Sequence, residues 1–136
     1  MKELKIEAKV EKLNDVLAFV DAELESVDCP MKVQMQLDVS VEELFVNIAH
    51  YAYTPDTGDA VIGVEFLQDP LKVKIWFKDS GKPFDPTAKE DPDVTLSAQE
   101  RKIGGLGIYM VKKAMDEMTY EYVDGQNILY IVKTLF

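Results

Sequence analysis

Apolar and polar residues alternate at the start of the chain, where Leu4, Ile6, Ala8 and Val10 are separated by Lys5, Glu7 and Lys9. That period of two predicts a half-buried strand. The period then lengthens. Val16, Leu17, Val20 and Leu24 recur at helical spacing, with Asn14 placed to cap the helix. Asp28-Cys29-Pro30 predicts the start of a second helix, with Pro30 in its first turn, where a missing N–H costs nothing. This helix is expected to run to about Tyr53, where Thr54-Pro55-Asp56-Thr57-Gly58 breaks it. Strands follow over 60–67 and 71–78; in the second, Leu71, Val73, Ile75 and Phe77 face one way while Lys72, Lys74 and Lys78 face the other. The stretch from about 81 to 102 holds Pro83, Pro86 and Pro92, many carboxylates and few apolar residues, as a functional lid or an irregular segment does. A helix over 103–118 and strands over 119–123 and 127–135 complete the chain, the strands joined by the hairpin signal Asp124-Gly125-Gln126. This order predicts an α/β (α+β) two-layer sandwich, a mixed, largely antiparallel sheet with helices on one face.

Within the long helix the pattern splits into two stripes. Leu37, Val41, Leu44, Ile48 and Tyr51 form a core stripe. Beside it Gln36, Ser40, Glu43, Asn47 and His50 repeat the same spacing and are all polar. Glu43 and Asn47 are one turn apart, so their side chains point to nearly one place. A carboxylate there can take a proton from a hydroxyl, and an amide oxygen can ligate Mg²⁺. A solvated stripe explains the same residues without chemistry, and Asp38 and Glu42, farther round, read as solvent-facing.

Two glycine patches add to this. Asp79-Ser80-Gly81 follows directly on an alternating strand, so the Asp79 carboxylate stands at a strand end, able to accept hydrogen bonds from an exocyclic amine. Gly81 would let a flat base lie close to the backbone. Gly104-Gly105-Leu106-Gly107 precedes Ile108, Val111 and Met115 and so opens a helix, whose free N–H groups and dipole favour phosphate. A tight turn explains the glycines equally well. The GxxxxGK[ST] pattern of a P-loop is absent.

Composition narrows the field. With 136 residues the chain suits one domain burying roughly two-thirds of its unfolded surface. A formal net charge of −10 argues against direct nucleic-acid contact, which needs clustered Lys and Arg. No apolar run approaches the length of a membrane span, so no membrane partner is expected. The single Cys29 fits a reducing compartment, and a cytoplasmic location is expected.

Taken in order, three segments carry a resemblance. Glu43-Leu44-Phe45-Val46-Asn47 with Tyr51-Ala52-Tyr53 is N-box-like, Asp79-Ser80-Gly81-Lys82-Pro83-Phe84-Asp85 is G1-like, and Gly104-Gly105-Leu106-Gly107-Ile108-Tyr109 is G2-like. Met115-Asp116-Glu117 before the last hairpin adds to them. The chain thereby resembles the GHKL (Bergerat-fold) ATPase superfamily across nearly its whole length, and within it the bacterial anti-sigma-factor serine/threonine kinases. The resemblance implies a single ATPase domain over 1–136 with an ATP lid at about 82–104, and ATP and Mg²⁺ as ligands. It implies Glu43 as the general base toward an acceptor hydroxyl and Asn47 as the Mg²⁺ ligand. Asp79 would read the adenine amine, with Gly81 beside the base. Gly104, Gly105, Leu106 and Gly107 would form the phosphate-contacting end of the lid. Arg101 and Lys102 either neutralise phosphate charge or form a solvated loop pair.

The implied function is phosphorylation of an anti-sigma-factor antagonist, with sequestration of a sigma factor in a partner switch. Homodimers are a common assembly of such proteins, and the first strand is the candidate edge. The alternative is a nucleotide-gated binding module without phosphotransfer. Two departures stand out: Pro83 occupies the place of the second G1 glycine, and Tyr51 that of a frequent histidine, with His50 one place earlier. Trp76, Tyr120, Tyr122 and Tyr130 read as sheet or core packing.

Overall fold

In the computed structural model, residues 1–88 and 105–136 are described. Five strands form one sheet: β1 (Lys2–Glu7), β2 (Asp59–Leu67), β3 (Lys72–Asp79), β4 (Glu117–Val123) and β5 (Gln126–Thr134). Their order is β1-β2-β3-β5-β4, and every neighbouring pair is antiparallel. Among the described residues the sheet is therefore antiparallel throughout rather than mixed. Helices α1 (Leu13–Glu25), α2 (Met31–Tyr51) and α3 (Gly105–Ala114) cover one face, with α2 packed against both of the others. This is the two-layer sandwich expected from the sequence.

The core forms where the two periodicities meet. Val16, Val20 and Leu24 of α1 and Leu37, Val41, Leu44 and Phe45 of α2 bury against Ile62, Val64, Val73, Ile75, Phe77, Leu129 and Ile131 of the sheet. The opposite sheet face mixes Lys72, Lys74 and Lys78 with apolar residues, among them Trp76, Ile128 and Val132. There Trp76 lies over Gly63, where a Cβ would come within 1.9 Å of the indole. The indole N–H donates to Glu3 at 3.0 Å.

Boundaries differ from the sequence pattern for local reasons. A 3₁₀ turn at Val10–Lys12 already turns the chain, so α1 is entered from Lys12 and Asn14 lies inside the helix rather than capping it. Pro30 is the residue before α2, its ψ of 139° extended while its carbonyl accepts from the Gln34 N–H at 2.9 Å. The second helix stops at Tyr51. Beyond it Tyr53 is drawn away: its hydroxyl donates to the Asp59 carbonyl at 2.6 Å and accepts from the Ser80 N–H at 2.7 Å. Likewise α3 ends at Ala114, because the Asp116 N–H pairs with the Val132 carbonyl at 2.9 Å and its carboxylate accepts from the Thr134 N–H at 2.6 Å. The last two strands meet through Asp124 and Gly125, with φ of 52° and 78°, the left-handed pair that a two-residue hairpin loop requires.

Candidate functional site

A cavity of about 250 Å³ opens where the C-terminal half of α2 passes over the ends of β3 and β5. Leu44, Ile48, Phe77 and Leu129 make an apolar wall, and Tyr51, Pro83, Phe84 and Tyr120 surround the mouth. Among the described residues its charged lining groups are Asp79 and Lys82.

Asp79 reaches the cavity through strand register. It continues the inward positions Val73, Ile75 and Phe77, so a carboxylate stands where the alternation would place a core residue, and it is 6 % exposed. Directly across the ladder is Asn127, also 6 % exposed, itself on the inward side with Leu129 and Ile131. The Asn127 amide nitrogen donates to Asp79 Oδ1 at 2.9 Å and to the Lys82 carbonyl at 2.9 Å. Its oxygen accepts from the Phe84 N–H at 3.1 Å and from the Tyr120 hydroxyl. The Gly81 N–H also donates to Asp79 Oδ1, at 2.9 Å. Both of these bonds to Asp79 end on one carboxylate oxygen, which fixes the plane of the group and leaves Oδ2 as the acceptor for a ligand amine. Burial pushes the Tyr120 phenol above its ordinary pKa, so it remains a donor at neutral pH.

Gly81 serves a different contact from the one expected of it. A Cβ there would meet the Ala52 carbonyl oxygen at 2.3 Å, and the Lys82 N–H donates to that same carbonyl at 3.0 Å. The glycine thus lets the 80–82 turn close onto the end of α2.

The polar stripe of α2 divides between two places. Asn47 is half-buried and lines the cavity. Glu43, one turn earlier, is exposed and lies against α3: a Cβ on Gly107 would come within 2.0 Å of its Oε2. Ser40 is buried and donates to the Gln36 carbonyl at 2.9 Å, whereas His50 is exposed. Tyr51, expected in the core, is the last residue of α2 and is exposed at the cavity mouth. Asp38 is not solvent-facing as its position suggested. It is half-buried against α1, its Oδ1 has no hydrogen-bond partner, and burial together with Asp21 pushes its pKa up to about 7. Arg101, Lys102 and Gly104 lie outside the described residues; Gly105 begins α3, followed by Leu106 and Gly107.

The arrangement offers an apolar cavity, one buried acceptor with a fixed orientation, an amide on the wall and a carboxylate one helical turn beyond. A histidine kinase-like ATPase domain matches residues 6–133. The chain belongs to that family. Among curated relatives, this ATPase domain is 28% identical to the serine/threonine-protein kinase BtrW of Bordetella bronchiseptica over 96 residues, covering 71% of this chain and 67% of that one. It is 31% identical to the serine-protein kinase RsbW of Listeria monocytogenes over 99 residues, covering 68% of this chain and 61% of that one. It therefore spans about two-thirds of the length of the curated relatives it matches. Its fold is also that of a crystal structure of the RsbU and RsbW domains of Rv1364c from Mycobacterium tuberculosis, with a TM-score of 0.68 at 15% identity over 99% of this chain and 33% of that one.

The donor set also bears on a metal. Among the described residues no group of three or more His, Cys, Asp or Glu is placed to hold one. A single amide oxygen at Asn47 fits a cation that brings water and phosphate as its remaining ligands, the habit of Mg²⁺. No described helix is long and apolar enough to cross a membrane.

Asn127 is not singled out in the sequence and Tyr120 reads there as packing, yet a signal for each as a site residue exists. Asn127 is a polar residue on the inward side of an alternating strand, and Tyr120 has the same parity as Met118. Recognising them required the β3–β5 pairing, which hairpin signals alone do not supply.

Proposed function

We propose that this chain is an ATP-dependent serine/threonine protein kinase of the anti-sigma type, acting in the cytoplasm on an anti-sigma-factor antagonist and sequestering a sigma factor in the alternate state. The observation that carries this reading is the Asp79–Asn127 pair at the floor of the apolar slot, with Asn47 and then Glu43 leading outward along α2. Adenine would enter the slot with its amine on Asp79 Oδ2. The triphosphate would run along Asn47 toward the start of α3 at Gly105 and Gly107, where unpaired N–H groups favour anions. Asn47 would hold Mg²⁺, which when bound offsets charge on the phosphate oxygens. Glu43 would accept the proton of a serine or threonine hydroxyl. As the new bond forms between that oxygen and the γ-phosphorus, the bond to the β–γ bridging oxygen breaks and ADP leaves. Lys82, at the cavity rim, adds a cation that sequence motifs did not single out.

Further parts of the reading come from the family resemblance: the lid at about 82–104 with Arg101, Lys102 and Gly104, the single domain over 1–136, and a homodimer. One observation favours the alternative, a nucleotide-gated module without transfer: Glu43 lies against Gly107 rather than in the nucleotide cavity. Calorimetric titration with ATP, with and without Mg²⁺, tests the site, and Asp79→Asn is expected to abolish binding. Transfer of γ-phosphate to the antagonist, lost in Glu43→Ala with ATP binding retained, separates the kinase from the module. Folded wild-type protein that ignores millimolar ATP would overturn both.

A further inference from the structure

A second depression, of about 490 Å³, lies between α2 and α3 on the far side of Glu43 from the nucleotide cavity. Met35 and Val39 of α2 and Met110 of α3 line it and are 61 %, 54 % and 55 % exposed. Its volume falls within the roughly 300–1,000 Å³ of sites that enclose a ligand. Three large apolar side chains exposed along one groove are unusual on a chain with a net charge of −10, and Glu43 is the only charged residue lining it among the described residues.

We propose that this groove docks the acceptor protein, holding an apolar segment beside the hydroxyl to be phosphorylated; the proposal rests on the kinase reading and names the partner surface of that same site. Glu43 decides the occupant. Glu43 and Gly107 border both the groove and the path proposed for the triphosphate, and the nucleotide approaches them along α2 from the Asn47 side. The hydroxyl must therefore arrive from the opposite side, which is the groove. The lining suits that task. Methionine is flexible and polarisable and accommodates apolar side chains of varied shape. A carboxylate next to the hydroxyl would be repelled by Glu43, and a charge deeper in the groove would meet Met35, Val39 and Met110, so the segment recognised is apolar and carries no acidic residue beside the hydroxyl. A second copy of this chain is a poorer occupant, because a stable homodimer covers roughly 20–30 residues a side.

The test uses the full chain with radiolabelled ATP and an extract of the cells of origin, scoring bands labelled by wild type and not by Glu43→Ala. Met35→Lys and Met110→Lys are expected to reduce that labelling at least tenfold with ATP affinity unchanged by calorimetry, while Met110→Leu keeps it. The labelled serine or threonine is expected to lie among apolar residues. Labelling that survives both lysine variants overturns the proposal, as does a labelled site flanked by acidic residues. If wild type binds ATP but labels no Glu43-dependent band, the groove has no acceptor and the docking surface falls while the nucleotide site stands. If wild type fails to bind ATP, both fall. If the lysine variants lose ATP affinity as well, the groove serves the nucleotide and the proposal is wrong.

Discussion

Replacing Asn127 by alanine tests the floor of the site most directly. The change removes two donations from the amide nitrogen, at 2.9 Å to Asp79 and 2.9 Å to the Lys82 carbonyl, and the acceptor of the Phe84 N–H at 3.1 Å and of the Tyr120 hydroxyl. A buried polar group deprived of its partner costs about 1–3 kcal/mol. The cavity lets water replace some of these bonds, so the net loss of stability is expected near 2–4 kcal/mol rather than the full sum. Asp79 would keep the Gly81 N–H but lose its cross-strand anchor. ATP affinity is expected to fall about 10–100-fold, which is roughly 1.4–2.8 kcal/mol. Urea unfolding followed by far-ultraviolet circular dichroism reads the first effect, and calorimetric titration reads the second. Asn127→Asp sharpens the comparison. It preserves shape but sets a second carboxylate against Asp79, so it is expected to bind ATP more weakly than the alanine variant at neutral pH. An alanine variant within about 0.5 kcal/mol of wild type in stability and about twofold in affinity would refute the reasoning.

Three further perturbations probe separate parts of the molecule. Gly107→Ala should leave stability unchanged or raise it by up to about 1 kcal/mol, because alanine is the better helix former. Its Cβ would displace the Glu43 carboxylate, so phosphate transfer is expected to drop at least about tenfold, measured by antagonist labelling. Asp38 titrates at about 7 in the folded chain against an ordinary 3.8, so its protonated form stabilises the fold below pH 4 and that contribution is lost as pH rises toward 7. Asp38→Asn should remove this slope and stabilise the protein at pH 8 by about 1–2 kcal/mol, discounted for partial exposure, as read by urea midpoints across pH. Gly63→Ala forces the Trp76 ring off the sheet and is expected to cost about 1–3 kcal/mol in chemical unfolding, with ATP binding untouched.

What the sequence made legible follows from how local each signal is. Strand alternation through Leu71–Phe77 placed Asp79 at a strand end, and the turn-to-turn spacing of Glu43 and Asn47 put them on one helix face, so these groups could be singled out without any tertiary information. The cross-strand partner could not, since Asn127 acquires its meaning from the Asp79↔Asn127 register. Asp38 misled for a related reason. Its place on the α2 wheel is polar, and only the packing of α1 brings Asp21 beside it. Helix ends slipped where a single tertiary bond outweighed the local pattern, as at Tyr53 and Asp116. Sequence-local chemistry was thus readable, and chemistry created by pairing distant segments was not.

The lone indole of the chain sits on the face of the sheet that the helices and the nucleotide cavity do not share. It is 5 % exposed and fastened to Glu3 of the edge strand. Its emission therefore reports on the integrity of the β1–β2–β3 ladder, and it does not line the cavity. The protein accordingly carries an intrinsic fluorophore, excitable at wavelengths longer than those adenine absorbs, for following unfolding with nucleotide present.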